Sequence, residues 1–222
     1  MFLCSPGNPT AKALPLRDME AITSSPHAQN TIVVVDEAYV DFSQQGTAVS
    51  LLQKYPNIVV LQTLSKAFGL AAIRCGFCVG PPDIIQLMNN VKAPYNINAM
   101  TSQMALAAFN SVSRLHDNVA TLLAQRELVA QALQNMDFVT QVFPSDANFI
   151  LFRMKQYAKE VYKHMADGGV VTRYRGTEMH CEECIRVTIG KPEENQTFLR
   201  NLVETYQGIV AAQQQQDESS AK

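Results

Sequence analysis

Residues 58–80 read IVVLQTLSKAFGLAAIRCGFCVG, and this stretch decides the fold. Its first four residues are apolar and mostly β-branched, which is typical of a strand covered on both faces. A polar segment that contains Ser65 and Lys66 follows directly, and a second apolar run at 77–79 ends at Gly80, before two prolines. The stretch therefore predicts two strands of an α/β sheet, with polar side chains at the carboxyl end of the first, where such sheets bind ligands.

The residues upstream extend the same pattern. Residues 31–35, TIVVV, predict another buried strand, and the polar residues Asp36, Glu37 and Tyr39 follow it at once. Candidate helices at 15–22 and 47–55 separate the apolar runs. Strands that alternate with helices indicate a parallel sheet, so residues 1–95 are interpreted as one large α/β domain.

The residues downstream predict a second, smaller domain. Apolar residues spaced by threes and fours between 100 and 134 indicate one long amphipathic helix, so residues 96–135 are interpreted as a connecting segment. Residues 136–212 then alternate between strands, at 137–142, 147–154, 170–174 and 185–189, and helices, at 155–166 and 192–210. The glutamine-rich tail, 213–222, has no apolar side chains to bury and is expected to be disordered.

The composition narrows the function classes. Eighteen Lys and Arg against twenty Asp and Glu give a net charge of −2 over 222 residues, with no basic block, so we expect no nucleic-acid partner. No apolar run reaches the roughly 18 residues that a transmembrane helix needs, and the first residues lack a signal-peptide pattern, so we expect a cytoplasmic protein without a membrane partner. Five cysteines, an odd number, favour reduced thiols over disulfides.

An acid and a lysine are expected at the same edge of the sheet. Asp36 and Lys66 each follow a predicted strand, and taken alone they could form a structural salt bridge. A lysine amine can also bind an aldehyde cofactor covalently, and pyridoxal phosphate needs further groups around that lysine. Candidates for these groups are Asp36 for the ring nitrogen, Asn8 and Tyr39 for the phenolate oxygen, and Ser65 and Arg74 for the phosphate.

Four segments carry a resemblance to a known family. They are SPGNPT at 5–10, VDEAY at 35–39, the run at 63–77 and CIRVTIG at 184–190. The chain resembles the fold-type I, class II aminotransferases, and within them most closely the histidinol-phosphate aminotransferases. The resemblance implies an α/β fold that consists of the remainder of a large parallel-sheet domain and a small C-terminal α+β domain. Serine-lysine followed eight residues later by arginine is the specific part of the match.

The resemblance implies a role for each candidate residue. Lys66 would bind pyridoxal phosphate covalently and then transfer the proton between the substrate and the cofactor. Arg186 would bind the anionic groups of the substrates, Arg173 would assist it, and Tyr95 would line the pocket. The other cofactor contacts would be those named above, made by Asn8, Asp36, Tyr39, Ser65 and Arg74.

The implied reaction belongs to histidine biosynthesis. It transfers an amino group from L-histidinol phosphate, the amino donor, to the 2-oxo acid 2-oxoglutarate. In this family an N-terminal arm, a phosphate-binding turn and an aromatic group over the cofactor ring precede the SPGNPT-like turn, so we expect this chain to lack them. The resemblance also implies a homodimer in the full-length form.

Two other interpretations remain open at this stage. The pairs Cys75 and Cys78, and Cys181 and Cys184, have the C-x-x-C spacing of metal ligands, but about a hundred residues separate them, and the first pair lies in a predicted strand. We therefore expect no metal site. The chain could also be an inactive aminotransferase-like protein, or a related enzyme that acts on aromatic amino acids or decarboxylates threonine phosphate.

Overall fold

The computed structural model describes residues 1–220, and the chain divides into two compact units. The first comprises Met1–Asn8 and Lys12–Ala120, and the second comprises Pro9–Ala11 and the chain from Thr121 onward. Each unit contains a four-stranded sheet and its own apolar core. The α/β fold class expected from the sequence is confirmed.

The sheet of the first unit contains β1 (Phe2–Cys4), β2 (Val33–Asp36), β3 (Ile58–Thr63) and β4 (Gly76–Val79), in that order. β2 and β3 are parallel, as the alternating pattern predicts, and β1, a strand that this pattern does not predict, is parallel to β2. β4, however, is antiparallel to β3. The prediction of a parallel sheet is therefore wrong for β4. The segment between β3 and β4 contains only a 3₁₀ turn, Ala71–Ile73, whereas the connection between parallel strands usually passes through an α-helix.

Three α-helices lie entirely within the first unit: α1 (Leu16–Ser24), α2 (Pro82–Val91) and α3 (Ala99–Phe109). Met19 of α1 packs in the core with Val33, Val35 and Ile58 of the sheet. The helix predicted at 47–55 is only a 3₁₀ helix, Ala48–Leu51. Pro56 follows that segment closely, and a proline disfavours helical conformation in the residue before it.

The long helix predicted between 100 and 134 is in fact two helices. α3 ends at Phe109 and α4 (Val112–Gln134) begins three residues later, so the prediction of one continuous helix is wrong. Asn110 and Ser111 form the break, and both residue types favour turns over helix interiors because their side chains compete for backbone hydrogen bonds. The boundary between the two units falls within α4, after Ala120.

The second unit is built on an antiparallel sheet. Its strands are β5 (Val139–Val142), β6 (Phe149–Met154), β7 (Arg173–Tyr174) and β8 (Cys184–Thr188), in the order β5-β6-β8-β7. The helices are α5 (Ala158–Asp167) and α6 (Pro192–Ser220), together with the later part of α4. Leu133, Phe152 and Leu202 are completely buried in the core that these elements form.

The last helix is longer than the sequence predicts. α6 continues to Ser220 through most of the tail that we expected to be disordered, and residues 221 and 222 of that tail lie outside the described residues. Glutamine is a good helix former, and extending an existing helix avoids the cost of starting a new one. None of the helices within residues 1–220 has both the length and the apolar character needed to cross a bilayer.

Candidate functional site

A polar cavity of about 310 Å³ lies at the carboxyl ends of β2 and β3. Its volume is within the range of small-molecule sites, and its position is the one that α/β sheets use for ligands. Four of the residues singled out in the sequence line it: Asp36, Ser65, Lys66 and Arg74. The cavity therefore combines a carboxylate, a hydroxyl group, an amine and a guanidinium group.

The parallel pairing of β2 and β3 explains why Asp36 and Lys66 meet. Asp36 is paired with Leu61, so the two strands end at the same edge of the sheet. The Asp36 carboxylate accepts a 3.0 Å hydrogen bond from the amide of Ala38, which fixes its orientation beside the cavity. The ion pairs among the described side chains do not include one between Asp36 and Lys66. The salt-bridge interpretation therefore finds no support in the geometry.

The amine of Lys66 lies over an aromatic ring. Its Nζ is 5.1 Å from the ring centroid of Tyr39, which is buried. This distance is within the range of cation–π contacts. Tyr39 thus forms part of the surroundings of the amine, although it does not line the cavity itself.

The turn that carries Lys66 is held by hydroxyl groups. Thr63 Oγ1 lies 2.9 Å from Ser65 Oγ and accepts a hydrogen bond from the Ser65 amide. Arg74 has a left-handed backbone conformation, φ 53°, and its Nη1 donates to the carbonyl of Ala71 at 3.1 Å. These local contacts place a hydroxyl and a guanidinium group on the same cavity as the amine.

Two further residues predicted for this site, Asn8 and Tyr95, also do not line the cavity. Asn8 is exposed in the turn after β1, although that turn begins beside the site, because the amide of Ser5 donates to the carbonyl of Asp36. Tyr95 lies between α2 and α3 and is 95% exposed. Their proposed contacts with cofactor and substrate remain predictions.

The two arginines predicted to bind substrate belong to the second unit. Arg173 of β7 and Arg186 of β8 are directly opposite each other in the antiparallel ladder. The guanidinium carbon of Arg186 lies 4.9 Å from the ring centroid of Phe149. Two like charges opposed across strands repel each other, so this pair is suited to an anion that offsets the repulsion.

Four residues that line the cavity are not among the candidate site residues from the sequence: Ala38, Leu61, Gln62 and Thr63. Gln62 and Thr63 are the last residues of β3, and both line the cavity. A strand that is apolar from 58 to 61 and then becomes polar is a usable signal, because the polar end marks the ligand-binding edge of an α/β sheet.

The surroundings of the cysteine pairs do not favour metal binding. Within the described residues, no group of three or more His, Cys, Asp and Glu side chains is close enough to hold an ion. Burial raises the pKa of the Cys78, Cys181 and Cys184 thiols, which disfavours the thiolate form that binds metals.

The amino-acid sequence is similar to those of known aminotransferases. Residues 1–202 match the family model of aminotransferase class I and II. The histidinol-phosphate aminotransferase of Schizosaccharomyces pombe is 44% identical over 216 residues, which covers 90% of this chain and 56% of the yeast protein. The chain spans between 56% and 58% of the length of such curated relatives.

Solved structures show the same fold. The histidinol-phosphate aminotransferase of Sinorhizobium meliloti, in complex with pyridoxal-5'-phosphate, superposes with a TM-score of 0.85 at 23% identity, over 94% of this chain and 57% of that one. The L-threonine-O-3-phosphate decarboxylase of Porphyromonas gingivalis gives 0.82 at 23% identity, over 93% and 64%. At these identities the likeness concerns the fold alone.

Proposed function

We propose that this chain, which belongs to the class I and II aminotransferase family, carries the lysine-bearing part of a histidinol-phosphate aminotransferase that depends on pyridoxal phosphate. The observation that supports this most is the cavity where Lys66, Asp36, Ser65 and Arg74 meet. Each of these residues has the chemistry that one part of the cofactor requires.

The polar groups that line the cavity fit pyridoxal phosphate. An amine suits the aldehyde, a carboxylate suits the protonated ring nitrogen, and a guanidinium beside a hydroxyl suits the phosphate. Lys66, Asp36, Arg74 and Ser65 provide these groups, in that order. When bound, the cofactor acts as an electron sink that makes the bond between the substrate carbon and its hydrogen acidic.

A few side chains of the protein would bind the cofactor and the substrates and transfer the proton. Lys66 would hold the cofactor and, once released by the substrate, carry the proton as a general base. Asp36 would keep the ring nitrogen protonated, while Asn8 and Tyr39 would donate to the phenolate oxygen. Arg186, with Arg173 and Tyr95, would bind the carboxylate of glutamate or 2-oxoglutarate and the phosphate of histidinol phosphate.

A binding titration followed by an amino-transfer assay tests this function. The full chain mixed with pyridoxal phosphate is expected to gain the visible absorbance of lysine-bound cofactor. With L-histidinol phosphate and 2-oxoglutarate it should then form L-glutamate. Absorbance without glutamate would indicate an inactive relative. Carbon dioxide release from threonine phosphate, or preferred transfer from an aromatic amino acid, would favour those enzymes instead, and absence of absorbance would contradict the proposal.

Self-association is the second part of the proposed function. Eleven large apolar side chains are exposed between residues 77 and 109 of the first unit, which is unusual for a free surface. They are Phe77, Val79, Leu87, Met88, Val91, Tyr95, Ile97, Met100, Met104, Leu106 and Phe109. Apolar side chains exposed in this number support the homodimer that the resemblance implies.

Sedimentation velocity checks the dimer. We expect the wild-type chain to sediment as a dimer and Leu87→Glu to weaken dimerisation by roughly tenfold or more, because a charge replaces a contact that excludes water. Leu128→Glu is the matched control, since Leu128 is also exposed, at 58% against 67% for Leu87, but lies on α4 in the second unit. A monomeric wild-type chain, or equal effects of the two variants, would contradict the assignment.

A further inference from the structure

One buried charge close to the cavity has no role in the chemistry described so far. Glu37 directly follows Asp36 and is only 1% exposed. Its carboxylate accepts three hydrogen bonds, from the Thr47 hydroxyl at 2.6 Å, the Ala48 amide at 2.6 Å and Gln62 Nε2 at 2.9 Å. No ion pair among the described side chains includes Glu37. A carboxylate removed from water is costly, and these three hydrogen bonds offset part of that cost.

One of the three donors to Glu37, Gln62, belongs to a strand that borders the site. Thr47 and Ala48 are at the start of the 3₁₀ helix, and Gln62 is on β3, where it lines the cavity. The amide of Glu37 also donates to the carbonyl of Leu61. Glu37 therefore ties the end of β2 to the end of β3 through both its main chain and its side chain.

The contacts of Glu37 are linked to the segment that carries Lys66. Gln62 precedes Thr63, whose hydroxyl makes two contacts with Ser65. Ser65 directly precedes Lys66 in the chain. Successive residues of an extended strand point to opposite sides, so Asp36 can border the cavity while Glu37 is buried behind it. The contacts of Glu37 thus act on both of the elements that carry Asp36 and Lys66.

We propose that Glu37 is a positioning residue, whose buried carboxylate holds the ends of β2 and β3 in the arrangement that Asp36 and Lys66 need to bind the cofactor. This inference rests on the proposed function. It assigns Glu37 a geometric role, in which the oxygen acceptors matter more than the negative charge.

The test compares two Glu37 variants with a control from the other end of the same strand. Asn57 precedes β3, and its Nδ2 donates to the carbonyls of Thr23, Ala28 and Thr31. Asn57→Ala thus also removes a side chain that contacts three partners, but at the end of β3 opposite to the cavity. Glu37→Gln keeps one oxygen acceptor, and Gln62 can turn its amide to pair with the new NH₂ group.

Two measurements are made on the full chain. The first is hydrogen exchange of residues 61–66 without cofactor, and the second is the dissociation constant for pyridoxal phosphate from absorbance. Glu37→Ala should speed the exchange and weaken binding about tenfold, since donors to a charged group are left unpaired. Glu37→Gln should remain within about threefold of wild type. Asn57→Ala should lower thermal stability without changing either measurement.

Each outcome decides the inference. It is overturned if hydrogen exchange at 61–66 is unchanged in Glu37→Ala, or if Asn57→Ala has an equal effect on the two measurements. It is also overturned if Glu37→Gln is as impaired as Glu37→Ala. If Glu37→Ala does not fold, Thr47→Val removes one donor, and it should speed exchange at 61–66 to a smaller extent; no change there would overturn the inference. A wild-type chain that does not bind pyridoxal phosphate refutes the proposed function, while the exchange data still decide whether Glu37 orders this segment.

Discussion

Lys66→Ala is expected to abolish the visible absorbance that the wild-type chain gains with pyridoxal phosphate. Only an amine condenses with the aldehyde to give the C=N bond responsible for this absorbance, so the loss should be complete rather than partial. Ser65, Arg74 and Asp36 would remain around the cavity, and weak non-covalent binding of the cofactor should persist. An absorbance titration of wild type and variant measures the difference.

The control for this prediction is another lysine of the same unit. Lys92 follows α2 and is exposed, so Lys92→Ala removes the same functional group outside the cavity. It should leave the absorbance unchanged. If the two variants lose the absorbance equally, or neither loses it, the assignment of Lys66 is wrong.

Asp36→Asn is expected to weaken the binding of pyridoxal phosphate by roughly ten- to a hundredfold. The carboxylate is proposed to pair with the protonated ring nitrogen, and hydrogen bonds to charged groups contribute about 1.5–3 kcal/mol. Asparagine can still accept the hydrogen bond of the Ala38 amide, so the turn itself should persist. The dissociation constant, again from absorbance, measures the effect.

Asp83→Asn is the matched control for that variant. Asp83 is an exposed carboxylate in the first turn of α2, in the same unit, and it does not line the cavity. Its replacement should leave binding unchanged. An Asp36→Asn variant that binds the cofactor as tightly as Asp83→Asn does would refute the proposed contact with the ring nitrogen.

The elements nearest the site were the most predictable from the sequence. β2 and β3 are short β-branched apolar runs followed directly by polar residues, and the structure brings Asp36, Ser65, Lys66 and Arg74 to one cavity. The prediction succeeds because the carboxyl ends of neighbouring parallel strands lie at the same edge of a sheet. The pattern of each strand alone was therefore enough to predict the proximity of residues thirty positions apart.

Other features depend on interactions that the sequence pattern does not report. Apolar periodicity continues across Asn110 and Ser111, so the break between α3 and α4 was missed. The direction of β4 depends on the connection before it, not on its own residues. The role of Glu37 depends on donors ten and twenty-five residues away, which only the folded chain brings together.

The most direct test of the central claim is to identify the residue that binds the cofactor. The full chain is mixed with pyridoxal phosphate, reduced with borohydride to fix the bond, digested, and mapped by mass spectrometry. We predict one predominantly modified site, Lys66. Modification spread over the exposed lysines, or concentrated on a lysine other than Lys66, would contradict the account.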